Sequence, residues 1–219
     1  MAKYSKSDKK WCKKLTDMGF NVRYGCNNSG EPDLIILLDS GEKIGVEIKK
    51  SYKAQFSQGY LYRCSEGLLT VGKNTKGVAN KTFIQHILDN NKDAITETEK
   101  LLFTCTQDPH TKAWITPKGT KELNHVSCTS DILADFYRQN GNNFIIFDED
   151  NLIFTLDGIF DYVFVNKGVK VHPFPSDIEV KVRIRSKPSL GADSYHNIAI
   201  TTLLKNCKDT RDKIAIYQT

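Results

Sequence analysis

The segment EPDLIILLDSGEKIGVEIKK, residues 31–50, places thirteen residues between Asp33 and Glu47, with Lys49 two positions further on. Side chains two apart on a strand share a face, so on an extended chain Glu47 and Lys49 project together while Val46 and Ile48 point into the opposite layer. Asp33 follows Pro32, whose fixed φ and missing N–H suit the first residue of a strand. If the two apolar runs pair as a hairpin with DSGEK at its tip, Asp33 and Glu47 lie near its open ends, close enough to share a cation. Two carboxylates can hold Mg²⁺, with the carbonyl of Ile48 as a further oxygen donor; such an ion keeps several waters and accepts a phosphate oxygen. An ammonium at Lys49 would orient the attacking water and stabilise developing charge. The reaction that asks for this set is hydrolysis of a phosphodiester, in which water is driven at a phosphorus already ringed by negative oxygens.

The elements that must position these residues are partly readable. Trp11, Cys12, Leu15 and Met18 recur at helical spacing behind Ser7 as N-cap, and Gly19 stands where that helix would end. Phe20–Tyr24 alternates as a strand, GCNNSGE is loop chemistry, and Leu34–Leu38 is an unbroken apolar run that suits a strand covered on both faces. The DSGEK turn then leads into a strand over Ile44–Ile48. Further on, Ala54–Cys64 is ambiguous, and GLLTVGKNTKGVANK mixes three glycines with three lysines and no acid, as a mobile loop near DNA would. Thr82–Phe103 and Ser130–Gln139 read as helices, the second with Ile132, Leu133, Phe136 and Tyr137 on one face. Asn143–Val171, rich in Phe, Ile and Val and broken by DEDN, LDG and NKG, predicts successive hairpins. Glu179–Arg185 predicts a strand, and Asn197–Cys207 a closing helix.

Pro32 and Asp33, the thirteen residues that follow, and Glu47, Ile48 and Lys49 resemble the PD-(D/E)xK nuclease superfamily. The resemblance covers roughly the first 60 residues. GEPDLIIL followed by GVEIKKS looks most like archaeal Holliday junction resolvases and many restriction endonucleases. It implies an α/β fold with a central mixed β-sheet flanked by helices, restriction endonuclease-like, here with an additional C-terminal β-rich portion. It also implies Mg²⁺ dependence, Mn²⁺ serving as a substitute, and DNA as substrate. In the resolvases the first helix supplies another acid, and the matching position here is Asp8. Related exonucleases carry QxxxY on the helix after ExK, a pattern that Gln58–Tyr62 satisfies literally.

Competing candidates are weaker. A second ExK stands at Glu179, Val180 and Lys181, with Asp161 or Asp177 as upstream acids. EVKVRIR alternates strictly, however, so Glu179, Lys181, Arg183 and Arg185 share one face, and three cations in a row suit phosphate or base-edge contact better than a metal site. Asp8 can equally be a helix acid favoured by the macrodipole, and Asp148, Glu149 and Asp150 most simply form a turn. The five histidines show no HxH, HExxH or HNH-like arrangement, and no Walker loop or GxGxxG points to a nucleotide cofactor. Six dispersed cysteines without a CxxC pair read as reduced thiols. No run approaches the roughly 18 apolar residues that span a bilayer, and the basic N-terminus lacks the apolar stretch of a secretory signal. The expected location is the cytoplasm. A net charge of +5 permits a nucleic-acid partner without demanding one.

The expectation is therefore a nuclease core over residues 1–105, and a portion over 106–219 that completes the fold and adds DNA recognition and dimer contacts, the two forming one continuous domain or two lobes. The function expected is Mg²⁺-dependent cleavage of double-stranded DNA by a homodimer of the type II restriction enzyme kind. The alternatives are a structure-specific nuclease, such as a junction resolvase or repair enzyme, and a catalytically silent DNA-binding module on the same fold.

Overall fold

The computed structural model describes residues 4–25, 31–51, 54–63, 69–73, 75–102, 106–107, 114–115, 120–126, 130–175, 179–187 and 197–205. In chain order the elements are α1 (Lys6–Asp17), β1 (Asn21–Tyr24), β2 (Leu34–Leu37), β3 (Lys43–Lys49), β4 (Gln55–Arg63), β5 (Leu69–Val71), α2 (Val78–Asn90) and α3 (Lys92–Leu102). Then come β6 (Thr106–Gln107), β7 (Trp114–Ile115), β8 (Thr120–Val126), α4 (Ser130–Gln139), β9 (Phe144–Phe147) and β10 (Leu152–Thr155). The chain ends with α5 (Asp161–Val165), β11 (His172–Pro173), β12 (Glu179–Lys187) and β13 (Asn197–Lys205).

These elements make an α/β protein with two compact units, residues 1–54 with 130–177, and 55–129 with 178–219. The boundary expected near residue 105 falls inside the second unit, because the chain leaves the first after β3 and returns to it at α4. The first unit holds a six-stranded mixed sheet ordered β1-β2-β3-β9-β10-β11. Its β1, β2 and β3 are antiparallel neighbours, β9 runs parallel to β3, β10 antiparallel to β9, and β11 parallel to β10.

Helix α1 lays Trp11 and Leu15, both fully buried, among Leu34, Ile36, Ile44, Val46, Phe144, Ile146 and Phe164. Each such side chain contributes about 1.5–3 kcal/mol on burial, enough to fix the helix on the sheet. The helix begins one turn fraction earlier than expected: Ser5, not Ser7, is the N-cap. Its hydroxyl accepts the Asp8 N–H at 3.0 Å while the Asp8 carboxylate accepts the Ser5 N–H at 2.7 Å, a reciprocal capping box. Ser7 is engaged elsewhere, donating to Asp148 at 2.7 Å.

Other expectations are corrected. The residues after the LDG turn form α5 rather than a strand, burying Val163 and Phe164, so β10 continues to β11 by a parallel crossover and no second hairpin forms. Thr82–Phe103 is two helices, α2 and α3, broken at Asn91, whose side-chain amide donates to the Ile87 carbonyl at 2.9 Å. The predicted closing helix is strand β13: NIAITTLLK is rich in β-branched residues, and nine residues of β12 pair with it. Ala54–Cys64 resolves into β4 over Gln55–Arg63. The second unit's main sheet runs β5-β4-β13-β12-β8, all antiparallel, and accounts for the β-rich portion expected in the C-terminal half while drawing two strands from further upstream. Among the described residues no helix is long and apolar enough to cross a membrane.

Candidate active site

The hairpin expected from residues 31–50 forms. Leu34 pairs with Val46 and Ile36 with Ile44, so one further step of that register sets Asp33 across from Glu47. Asp33 Oδ2 accepts the Ile48 N–H at 2.8 Å, which holds its carboxyl at the open end. Two glycines make this possible. A Cβ on Gly25 would stand 1.8 Å from the Pro32 carbonyl oxygen, where the Gly25 N–H donates to the Asp33 carbonyl at 2.9 Å. A Cβ on Gly45 would stand 1.9 Å from the Gly141 carbonyl oxygen and 2.6 Å from Pro32 Cγ. Only glycine at 45 lets the turn after α4 close onto β3, and the Gly45 amide is then satisfied by the Asn143 side chain at 3.0 Å.

That closure brings α4 to the face of β3 that carries the polar pair. Lys49 Nζ lies 2.6 Å from Glu47 Oε1, each side chain only 14% exposed. Tyr137, fully in the interior, presents its ring 5.5 Å from the Lys49 ammonium and hydrogen-bonds it. On the other face Val46 and Ile48 enter the α1 core. Ile48 thus offers only its backbone: the N–H is taken by Asp33, and the carbonyl is what it could add to a ligand set.

Burial, and next the charge of Glu47, push the Asp33 carboxyl up to about 7, against the stabilising pull of the Ile48 N–H and Lys49. Burial disfavours the Lys49 ammonium, but Tyr137 and Glu47 outweigh it and hold its pKa above the ordinary lysine range. Burial likewise raises the Tyr137 phenol above its ordinary value. Near neutral pH, then, Lys49 is a fixed cation whose ammonium donates to a neutral Tyr137 phenol, so neither is poised as a base. Asp33, raised to about 7, is only partly ionised there, and a divalent cation beside the two carboxylates would favour its ionised form. Oxygen-only donors of this kind fit a hard ion that retains waters. Among the described residues no group of three or more His, Cys, Asp or Glu side chains is arranged to hold a metal.

The remaining candidates divide. Asp8 is spent in part on the Ser5 cap, although its charge still reaches Asp33. Gln58 lies on strand β4 in the second unit, bonded to Gln55 at 2.9 Å; the helix that a QxxxY motif needs is replaced there by a strand. Lys181, Arg183 and Arg185 lie on β12, an interior strand between β13 and β8. Val182 is fully buried and Arg183 half-buried, as the alternation requires, and the side chains of Lys181 and Arg185, like that of Glu179, lie outside the described residues. Cys12 is a free thiol; the other five cysteines lie outside the described residues.

Two participants had no legible signal. Tyr137 reads in the sequence as one more apolar-face residue of α4. Asp148, at the end of β9, reads as a turn acid, yet it fastens α1: its oxygens accept Lys10 Nζ at 2.6 Å, Trp11 Nε1 at 2.9 Å and Ser7 Oγ at 2.7 Å. Burial works against that carboxylate, but these three donors outweigh it and hold its pKa below the ordinary range. Asp148→Asn should therefore cost about 1–3 kcal/mol in urea denaturation at neutral pH, since it removes the charge from hydrogen bonds that join helix to sheet.

Comparison with known proteins returns no match: no family model, no curated protein and no solved structure aligns significantly with the chain.

Proposed function

We propose that the chain is a divalent-metal-dependent endonuclease of double-stranded DNA, built on a restriction endonuclease-like core and acting as a type II restriction enzyme does. The observation that carries this reading is Asp33 set across a hairpin from Glu47, with Lys49 ion-paired on the same face. The order α1, β1, β2, β3 agrees with the PD-(D/E)xK pattern.

In this reading Asp33, Glu47 and the Ile48 carbonyl would hold Mg²⁺ or Mn²⁺, which would supply neutralisation of phosphate charge and acidification of water. Asp33 would serve as a ligand in its ionised form, which its burial otherwise disfavours. Glu47, already paired with Lys49 at 2.6 Å, would face the ion with its remaining oxygen. Lys49, kept protonated and aimed by Tyr137, holds a positive charge beside the reacting phosphate and orients the attacking water. Tyr137 and the closely packed α4 keep bulk water from the back of that ammonium. Lys181, Arg183 and Arg185 belong to the proposal as DNA contacts, and a homodimer would supply one such centre for each strand.

The test is digestion of a sequenced viral DNA with Mg²⁺, followed by mapping of the ends. Discrete, sequence-defined fragments are expected. Cutting confined to branched substrates would favour the junction-resolvase alternative, which rests on the same N-terminal residues, and DNA binding without cleavage would leave a silent binding module. Lys49→Ala should lower turnover by about 10²–10³-fold while metal affinity is mostly kept. Ca²⁺ should support binding without cleavage, and full activity in chelator would exclude a metal mechanism.

A further inference from the structure

The turn from β5 into α2 is tightly held. The Thr75 hydroxyl, 2% exposed, accepts the Tyr60 N–H at 2.9 Å and donates to the Tyr60 carbonyl at 3.3 Å. The Gly72 N–H donates to that same carbonyl at 2.6 Å, and the Thr75 N–H to the Gly72 carbonyl at 2.9 Å. From this anchored turn Lys73 and Lys76 stand exposed, and so does Lys81 in the first turn of α2. The mobile loop expected here is instead a short strand, a pinned turn and a helix.

Beside it lies an open groove of about 560 Å³, lined by Lys73, Lys81, Thr82, Gln85, His86 and Asp89 among others. The single acid on its wall, Asp89, already accepts the Gln85 amide at 2.7 Å. Among the described residues no hydrogen bond or ion pair engages the ammonium groups of Lys73, Lys76 or Lys81, and α2 has no acid in its first turn. Like charges gathered on a fixed backbone repel one another, and a polyanion relieves that repulsion without having to order the turn first. An open trough rather than a closed pocket suits a chain of phosphates, and hydroxyl, amide and imidazole groups between lysines suit phosphate oxygens.

We propose that this groove grips the sugar-phosphate backbone of nucleic acid without reading its bases, a contact made by residues other than the catalytic set. The choice of nucleic acid rests on the nuclease reading above; the preference for a linear polyphosphate rests on the groove itself.

The experiment is fluorescence anisotropy of a labelled duplex with the whole chain in Ca²⁺, over a range of chloride concentrations. Each phosphate contact adds about 0.9 to the slope of log affinity against log salt, so K73A/K81A should lower its magnitude by about two, equally for unrelated sequences. The charge-keeping K73R/K81R should restore the slope. An unchanged slope in K73A/K81A overturns the proposal. Displacement of the duplex by inorganic phosphate beyond that by chloride at equal ionic strength would mark a small-anion site and also overturn it. So would lysine-dependent binding to phosphatidylserine vesicles with none to DNA. If the protein binds duplex with the expected slopes but cuts nothing in Mg²⁺, the groove stands and the nuclease reading falls; cleavage with an unchanged slope does the reverse.

Discussion

Asp33→Asn is expected to abolish Mg²⁺-dependent plasmid cleavage, a loss of on the order of 10³-fold or more, while DNA affinity in Ca²⁺ stays near that of the unaltered chain. The substitution keeps the shape and the acceptor that takes the Ile48 N–H, and removes only the charge. Glu47→Gln should be equally inactive but for a mixed reason. It strips Lys49 of the carboxylate 2.6 Å away, and an ammonium 14% exposed without its partner costs on the order of 3 kcal/mol. A denaturation curve beside each cleavage assay separates lost chemistry from lost fold. Glu179→Gln should cut normally. If Glu179→Gln were inactive and Asp33→Asn active, the site would belong to the triplet at Glu179, Val180 and Lys181 instead.

The second large effect is on stability, and its sign is unusual for an acid. The Asp33 carboxyl titrates at about 7 in the folded protein against 3.8 ordinarily, raised first by burial and then by Glu47. Between those values the folded state binds more protons than the unfolded one, so metal-free stability falls as pH rises and the penalty is complete above about 7. Linkage puts the whole difference at up to about 4 kcal/mol. In chelator, Asp33→Asn should therefore be more stable than the unaltered chain at pH 8 and match it near pH 4, with most of the change between about pH 5 and 7. Asp148 does not confuse the comparison. Its pKa is depressed, so its stabilising contribution is present above its unfolded value and is lost only at lower pH. A flat difference from pH 5 to 8 would show that Asp33 titrates as an ordinary acid.

How much of this was legible depends on whether a feature is local. The hairpin announces itself because proline, apolar runs and the DSGEK turn all act within twenty residues, and the period of two then fixes which side chains share a face. The cap expected at Ser7 falls to Ser5, because the distant carboxylate of Asp148 takes the Ser7 hydroxyl, a contact that no local pattern reveals. Asn197–Lys205 has apolar residues that fit either a helix or a strand. What makes it a strand is its pairing with β4 and β12, one of them more than a hundred residues upstream. The short α5 was hidden for the opposite reason: Phe, Tyr and Val favour strands, and the burial of Val163 and Phe164 overrode that preference. Tyr137 is the clearest case, because nothing around it encodes a lysine on another element. Gly45 could have hinted at it, as an unexplained glycine in an apolar strand is a place where backbone approaches backbone.

The parallel ladder joins Val46 to Phe144 and Lys49 to Phe147, and this has a consequence in time. A ribosome delivers the acid pair first and the strand that must lie beside it only about a hundred residues later. Until then β3 ends in a bare edge of amides and carbonyls, and Lys49 has no phenol to rest against. Pairings of such long sequence separation are slow to form, and an unpaired strand edge is a template for unwanted partners. Closure of β3 and the final placement of Lys49 are thus set by the arrival of Phe144–Phe147 and not by the completion of the motif.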